Sequence, residues 1–184
     1  MISKLWVKLA SLFAVFAHES IRHKRRYTHE PYWHHLREVA ELVELGGGDY
    51  QMVMAAWLHD TLEDTWVKPW MIKGLFGQRV CDLVIGMTQV SKPGDGNRAV
   101  RKEIDRQFLA KQSPCVKTIK LADLIANLPS IVQHDERFAK VYVQEVRALL
   151  KVLTEGDQVL QTLLIRHLVN YERGEEGDGN AGSI

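Results

Sequence analysis

"WLHDTLEDT", residues 57–65, decides how this chain is read. It follows an apolar run, "MVMAA" (52–56), and places His59, Asp60, Glu63 and Asp64 where that run leaves the core. Successive side chains on a helix point about 100° apart, so His59 and Asp60 cannot ordinarily share one small target, but at a helix end the backbone can turn both inward. A metal ion is such a target. Imidazole plus carboxylate suits Mn²⁺, Fe²⁺, Zn²⁺ or Co²⁺ rather than Ca²⁺, with further ligands from other helices. Taken alone, the pair also fits a capping Asp beside a hydrogen-bonded His.

Two other stretches shift the balance. "EPYWHHLREVAELV" (30–43) puts His34 and His35 at the start of a helix, and "TIKLADLIANLPSI" (118–131) puts Asp123 in a strongly apolar one. A buried Asp is costly unless it is paired or metal-bound. A salt bridge to Lys120, three residues earlier, is the simpler reading of Asp123; ligation is favoured once the three stretches are considered together.

Outside these stretches, apolar residues recur at helical spacing and Val/Ile-rich alternation is scarce, so the fold class is all-α. The pattern predicts a bundle of eight or nine helices, near 2–20, 33–45, 49–62, 69–76, 77–90, 97–111, 115–133, 138–153 and 157–172. Gly46-Gly47-Gly48 then Asp49 separates two of them, Pro69 and Pro114 suit first turns, and "KPGDGN" (92–97) is a loop ending in an Asn cap. One domain over 1–172 is expected, followed by a Gly-rich, disordered tail over 173–184. The opening "MISKLWVKLASLFAVFAHES" resembles a signal peptide superficially, but Lys8 interrupts a short apolar run, and it reads as a core-packing first helix. Trp57, Trp66 and Trp70 read as core.

Lys plus Arg (24) nearly balances Asp plus Glu (23), so no global field recruits nucleic acid or membrane, and neither is expected as a partner. Two cysteines without CxxC spacing argue against a disulfide framework or thiolate zinc and for a reduced, cytoplasmic setting. The sequence leaves a homo-oligomer open.

The order His35, His59-Asp60, Asp123 resembles the H…HD…D signature of HD-domain metal-dependent phosphohydrolases. More closely, basic residues before "EPYWHH", then "LHDTLEDT", "FGQRVCDLVIGMT" and "KLADLIANL", are similar to the hydrolase half of Rel/Spo proteins and to small alarmone hydrolases, over roughly residues 10–153. The resemblance implies that His35, His59, Asp60 and Asp123 ligate a divalent metal, usually Mn²⁺. His35 fits the "PYxxH" spacing and leaves His34 as a neighbour. Glu63 and Asp64 match the acidic pair that handles the attacking water, and Asn127 matches a residue contacting the nucleotide. A divalent ion lowers the pKa of bound water from about 15.7 toward roughly 7 and neutralises a phosphoryl oxygen, which anionic phosphate esters require.

The substrate's remaining charge calls for cations. "RHKRR" (22–26) is a solvated helix end by default, but before the ligand helix it resembles the family's nucleotide-gripping segment, with Arg25 suited to stacking or phosphate pairing. Arg98, Arg101 and Lys102 in "NRAVRKEIDR" (97–106) form a candidate pyrophosphate grip or, equally, an exposed charged helix. The sequence departs from the family's pattern before Arg25, where Ser20 stands in place of a His, at His29 in place of a Gly, and at Ala126 in place of an acid. The expected activity is hydrolysis of the 3′-pyrophosphate of a purine nucleotide alarmone, (p)ppGpp or (p)ppApp. The alternatives are a phosphatase acting on NADPH or a nucleoside monophosphate, and a non-catalytic nucleotide-binding helical module.

Overall fold

The structure, a computed structural model, describes residues 2–179, and these form ten α-helices and no strand. In chain order they are α1 (Ile2–Ser20), α2 (Trp33–Leu45), α3 (Tyr50–Leu58), α4 (Thr61–Asp64), α5 (Pro69–Phe76), α6 (Gln78–Met87), α7 (Arg98–Ala110), α8 (Pro114–His134), α9 (Glu136–Leu150) and α10 (Gln158–Gly179). The all-α expectation holds. The region read as one helix over 49–62 is two, because the chain turns at His59 and Asp60.

Caps explain most boundaries. Asp49 accepts from the Gln51 and Met52 N–H groups to start α3, Asn97 from Val100 to start α7, Ser113 from Val116 to start α8, and Asp135 from Phe138 to start α9. Between α2 and α3, Gly47 takes φ 73°, and a Cβ on Gly48 would lie 2.5 Å from Val43 Cγ1, so both positions need glycine.

α8 is the axis of the fold. Ile119, Leu121, Ala122, Leu124, Ile125 and Leu128 are buried around its circumference, against α2, α3 and α6 on one side and α9 and α10 on the other. Such an all-round apolar helix belongs at the centre of a bundle. α2 and α3 also pack on each other, so the three helices that carry the decisive stretches share one core.

The core-packing expectation for α1 holds, though through small side chains, and the expectation that Trp66 and Trp70 are core fails. α1 packs on α3 through Ala10, Ala14 and Ala17, whereas Ile2, Leu5, Leu9, Leu12 and Phe16 face outward. The close approach of two helices is made by small side chains, which leaves the large ones on the far side. Trp57 packs against the core as expected, but Trp66 and Trp70 are exposed. Trp66 lies at the margin of α1, edge-on to Phe13 and Phe16 and donating to Ser20 Oγ at 3.0 Å, while α5 turns Ile72 and Phe76 inward instead of Trp70.

At the other end, α10 continues past residue 172, where the tail was expected to begin, through Gly179. Adding residues to an existing helix costs little, and Arg147 of α9 pairs with Glu172 at the expected junction. The rest of that tail, 180–184, lies outside the described residues.

Candidate metal centre and cleft

At the end of α3 two side chains satisfy its last carbonyls: Thr61 Oγ1 donates to Leu58 O at 2.7 Å and His59 Nδ1 to Ala56 O at 2.8 Å. The second bond fixes the His59 ring with Nε2 directed away from the backbone. From α2, His35 arrives buried, with neither ring nitrogen hydrogen-bonded; His59 Nε2 is likewise a buried orphan. His34 does not join them, because its ring stacks on Trp33 at 3.8 Å.

The carboxylates complete the cluster. Asp123 Oδ1, from the centre of α8, lies 3.3 Å from His35 Nε2 and 3.7 Å from His59 Nε2. Asp60 Oδ2 lies 3.0 Å from His59 Nε2 and 3.8 Å from His35 Nε2. One ligand atom each from His35, His59 and Asp123 falls within 4.8 Å of the others. Buried nitrogens that make no well-aligned hydrogen bond yet converge on two carboxylate oxygens are what a divalent cation satisfies, and the mixed N/O donor set fits one. Although burial disfavours a charged imidazole, the negative charge of Asp60 and the Asp123 contact raise His59 well above its ordinary range.

Asp123 is held from both sides. Lys120 Nζ donates to its Oδ2 at 2.7 Å and Asn127 Nδ2 to its Oδ1 at 2.7 Å. The salt bridge and the candidate ligand are therefore one residue, with an oxygen for each task.

Glu63 and Asp64 lie one turn beyond and differ from each other. Glu63 is clamped, Oε1 accepting from the Gln89 N–H at 2.7 Å and Oε2 from Gln89 Nε2 at 2.8 Å. The Asp64 carboxylate has no hydrogen bond or ion pair among the described residues. Removal of water by the surrounding protein, followed by the charges of Asp60 and Glu63, raises it to about 7.

Both acids, with Asp60, Asp123 and Asn127, line a cavity of about 820 Å³ between α4, α7, α8 and α9. Its cations are mostly committed. Arg98 makes a two-pronged pair with Glu145 at 2.7 and 2.8 Å, Arg106 pairs with Glu103, and Lys120 holds Asp123. Among the described residues Lys102 has only a long hydrogen-bond contact, to Gln89 Oε1 at 3.5 Å, and its charge is disfavoured by burial and by Lys120 and Arg98. Arg101 does not line this cavity; it points about 100° round α7 from Lys102, and its Nε is buried without a partner. Arg25 lines a smaller neighbouring cavity of about 230 Å³, where it donates to Ala126 O at 3.1 Å and pairs with Glu38. Tyr32 and Asn127 belong to both cavities.

Sequence reasoning had Lys120 as the salt-bridge partner of Asp123 but missed Gln89 as the clamp on Glu63, and Tyr32, whose hydroxyl donates to Asp60 Oδ2 at 2.5 Å. "PYWHH" contained the signal for Tyr32: a tyrosine three residues before a ligand lies on the same helix face. Ser20 carries no site contact, whereas His18, two residues earlier, is buried and stacked toward Tyr32.

A family model described as HD domain matches residues 13–154. A probable GTP diphosphokinase RSH3 of Arabidopsis thaliana chloroplasts is 32% identical over 173 residues, 88% of this chain and 24% of that protein. A guanosine-3′,5′-bis(diphosphate) 3′-pyrophosphohydrolase of Aquifex aeolicus is 36% identical over 128 residues, 68% of this chain and 18% of that protein. The chain thus spans a quarter or less of the length of these relatives. Among solved structures, one described as a metazoan ortholog of SpoT that hydrolyzes ppGpp and plays a role in starvation responses superposes with a TM-score of 0.78 at 26% identity, covering 90% of this chain and 94% of that one. A Listeria monocytogenes structure shares the fold, with a TM-score of 0.62 at 22% identity over 76% of this chain and 94% of that one. With the match running from α1 to the end of α9 and enclosing all four residues of the cluster, the chain belongs to the HD-domain family, with homology to the Rel/SpoT hydrolases.

Proposed function

We propose that this chain is a metal-dependent hydrolase that removes the 3′-pyrophosphate from a purine nucleotide alarmone, (p)ppGpp or (p)ppApp, releasing pyrophosphate. The observation that carries the reading is the orphaned His35–His59–Asp123 cluster opening, through Asp60, into a nucleotide-sized cavity with an unpartnered acid, Asp64, at its wall. The ppGpp hydrolysis named for the metazoan SpoT ortholog, over nearly the whole of both chains, supports the substrate class.

His35, His59, Asp60 and Asp123 hold the ion, most suitably Mn²⁺. When bound, it supplies an activated water and neutralises phosphoryl charge. Asp64 accepts the proton of the attacking water, since a base that titrates near 7 is suited to work at neutral pH. Glu63, with both oxygens taken by Gln89, orients that water instead of receiving its proton. Lys102 meets phosphate oxygens remote from the ion, and Arg98 shapes the wall beside it. Arg25 and Asn127 flank the nucleoside. The free thiols of Cys81 and Cys115 suit a cytoplasmic setting.

The deciding experiment supplies Mn²⁺ and offers ppGpp, pppGpp, ppApp, pppApp and NADPH in parallel. Pyrophosphate release from an alarmone, absent in Asp60→Ala, is expected. Orthophosphate alone would move the reading to a phosphatase. No turnover of any nucleotide, with binding unchanged in Asp64→Asn, would make the chain a non-catalytic binding module.

A further inference from the structure

Asp60 is the least enclosed of the four candidate ligands, its side chain about a fifth exposed at 21% against 1% for His35, 2% for His59 and 9% for Asp123. It also sits at the break between α3 and α4, as the residue that starts α4, and its carboxylate makes no capping bond to that helix. Something else must set which oxygen faces the imidazoles. The oxygen that does so, Oδ2, is the one that accepts from the Tyr32 hydroxyl at 2.5 Å.

A carboxylate oxygen has two lone-pair directions. The phenol occupies one on Oδ2 and leaves the other toward His59 and His35. The phenol is itself secured. Its ring stacks on His23 at 3.9 Å with 11° between planes, and on His18 at 4.9 Å with 23°. The two imidazoles share an Nδ1–Nδ1 hydrogen bond of 2.9 Å, and the Tyr32 N–H donates to His23 O at 3.1 Å. His18 is fully buried on α1. The stack thus runs from the first helix, through a loop residue, to the candidate ligand at the break.

We infer that Tyr32 is a positioning residue for the metal centre: its hydroxyl holds Asp60 with Oδ2 turned into the cluster, and the His18–His23 pair holds its ring. This rests on reading the cluster as a metal site. Partners behind a ligand commonly change metal affinity or activity by ten- to a hundredfold when removed. The hydroxyl, not the ring, carries the effect, so Tyr32→Phe keeps the stack and loses only the bond to Asp60.

The test is Mn²⁺ affinity, read by electron paramagnetic resonance of free ion, and the visible absorption of the Co²⁺-loaded protein. Wild type, Tyr32→Phe and Asp123→Ala are compared, with melting temperatures taken without metal. Tyr32→Phe is expected to melt as wild type does, to bind Mn²⁺ about ten- to a hundredfold more weakly, and to shift the Co²⁺ bands. Wild-type affinity and unshifted bands in Tyr32→Phe would overturn the inference and leave the metal site standing, with Asp123→Ala still losing the ion. A metal-free Tyr32→Phe that melts far below wild type would make the hydroxyl a fold contact and overturn it too. If wild type binds neither ion, the metal-site reading falls and the inference with it.

Discussion

Lys120 and Asp123 form an ion pair one turn apart on α8, Nζ donating to Oδ2 at 2.7 Å, while the other carboxylate oxygen faces His35 at 3.3 Å. The lysine offsets the charge of an aspartate that is 6% exposed, and it does so on the side away from the imidazoles. Removing one partner of a buried pair strands the other charge. Lys120→Met is expected to cost about 3 kcal/mol of stability in the metal-free protein, measured by urea unfolding. Mn²⁺ should recover part of that loss by replacing the missing positive charge.

Ligand binding to the folded state alone raises its stability. At a hundred times Kd the gain is about 2.7 kcal/mol, which for a chain of this size is a rise of roughly 5–10 °C in melting temperature. Differential scanning calorimetry with and without Mn²⁺ should show this shift in wild type and none in Asp123→Ala.

Asp64 titrates near 7 in the folded protein, against an ordinary 3.8. Between those values the folded state binds the extra proton, so stability falls as pH rises through this window. Asp64→Asn removes the penalty. The metal-free variant should gain on wild type from pH 5 to 8 and match it at pH 4, while losing nearly all hydrolysis. Equal melting temperatures for the two proteins at pH 8 would contradict the assignment.

Among the described residues the Lys102 ammonium has a hydrogen-bond contact only to Gln89, at 3.5 Å, so it is available to an anionic ligand. A charge-assisted hydrogen bond is worth about 1.5–3 kcal/mol. In steady-state kinetics Lys102→Ala should raise KM for the alarmone about tenfold or more with a smaller change in kcat. Arg101→Ala, off the cavity, should leave both near wild type.

His29 occupies a left-handed backbone position, φ 57°, in the loop before α2. Left-handed geometry strains a residue with a Cβ by about 1–2 kcal/mol, part of which glycine returns as unfolded-chain entropy. His29→Gly should therefore stabilise the protein by about 0.5–1 kcal/mol in chemical denaturation.

The convergence of His35, His59 and Asp123 was legible because the motifs that carry the family resemblance are short and local: His35 after "PY", His59 beside Asp60, and an acid in the apolar face of α8. The loop position of His29 was legible for the same reason, as a departure from glycine. What stayed hidden depends on distance in sequence. Tyr32 meets Asp60 across 28 residues and Gln89 meets Glu63 across 26, and no periodicity encodes either pair. Side-chain size misled in the opposite sense. Leu12, Phe16, Trp66 and Trp70 look like core, yet alanines make the α1–α3 contact and leave those larger groups outside. Arg101 shares a charged stretch with Lys102 but not a direction.

The helices bearing the candidate ligands meet through residues with little room to yield. Ala55 on α3 and Ala122 on α8 are fully buried, as are Leu36 and Val39 on α2. Whatever spreads those helices also spreads His35, His59 and Asp123, whose ligand atoms must stay within a few ångströms of one another. Cation affinity therefore works as an internal ruler. A core substitution such as Ala122→Val that moves α8 by a fraction of an ångström would register first as weaker Mn²⁺ binding, well before the protein loses its helices.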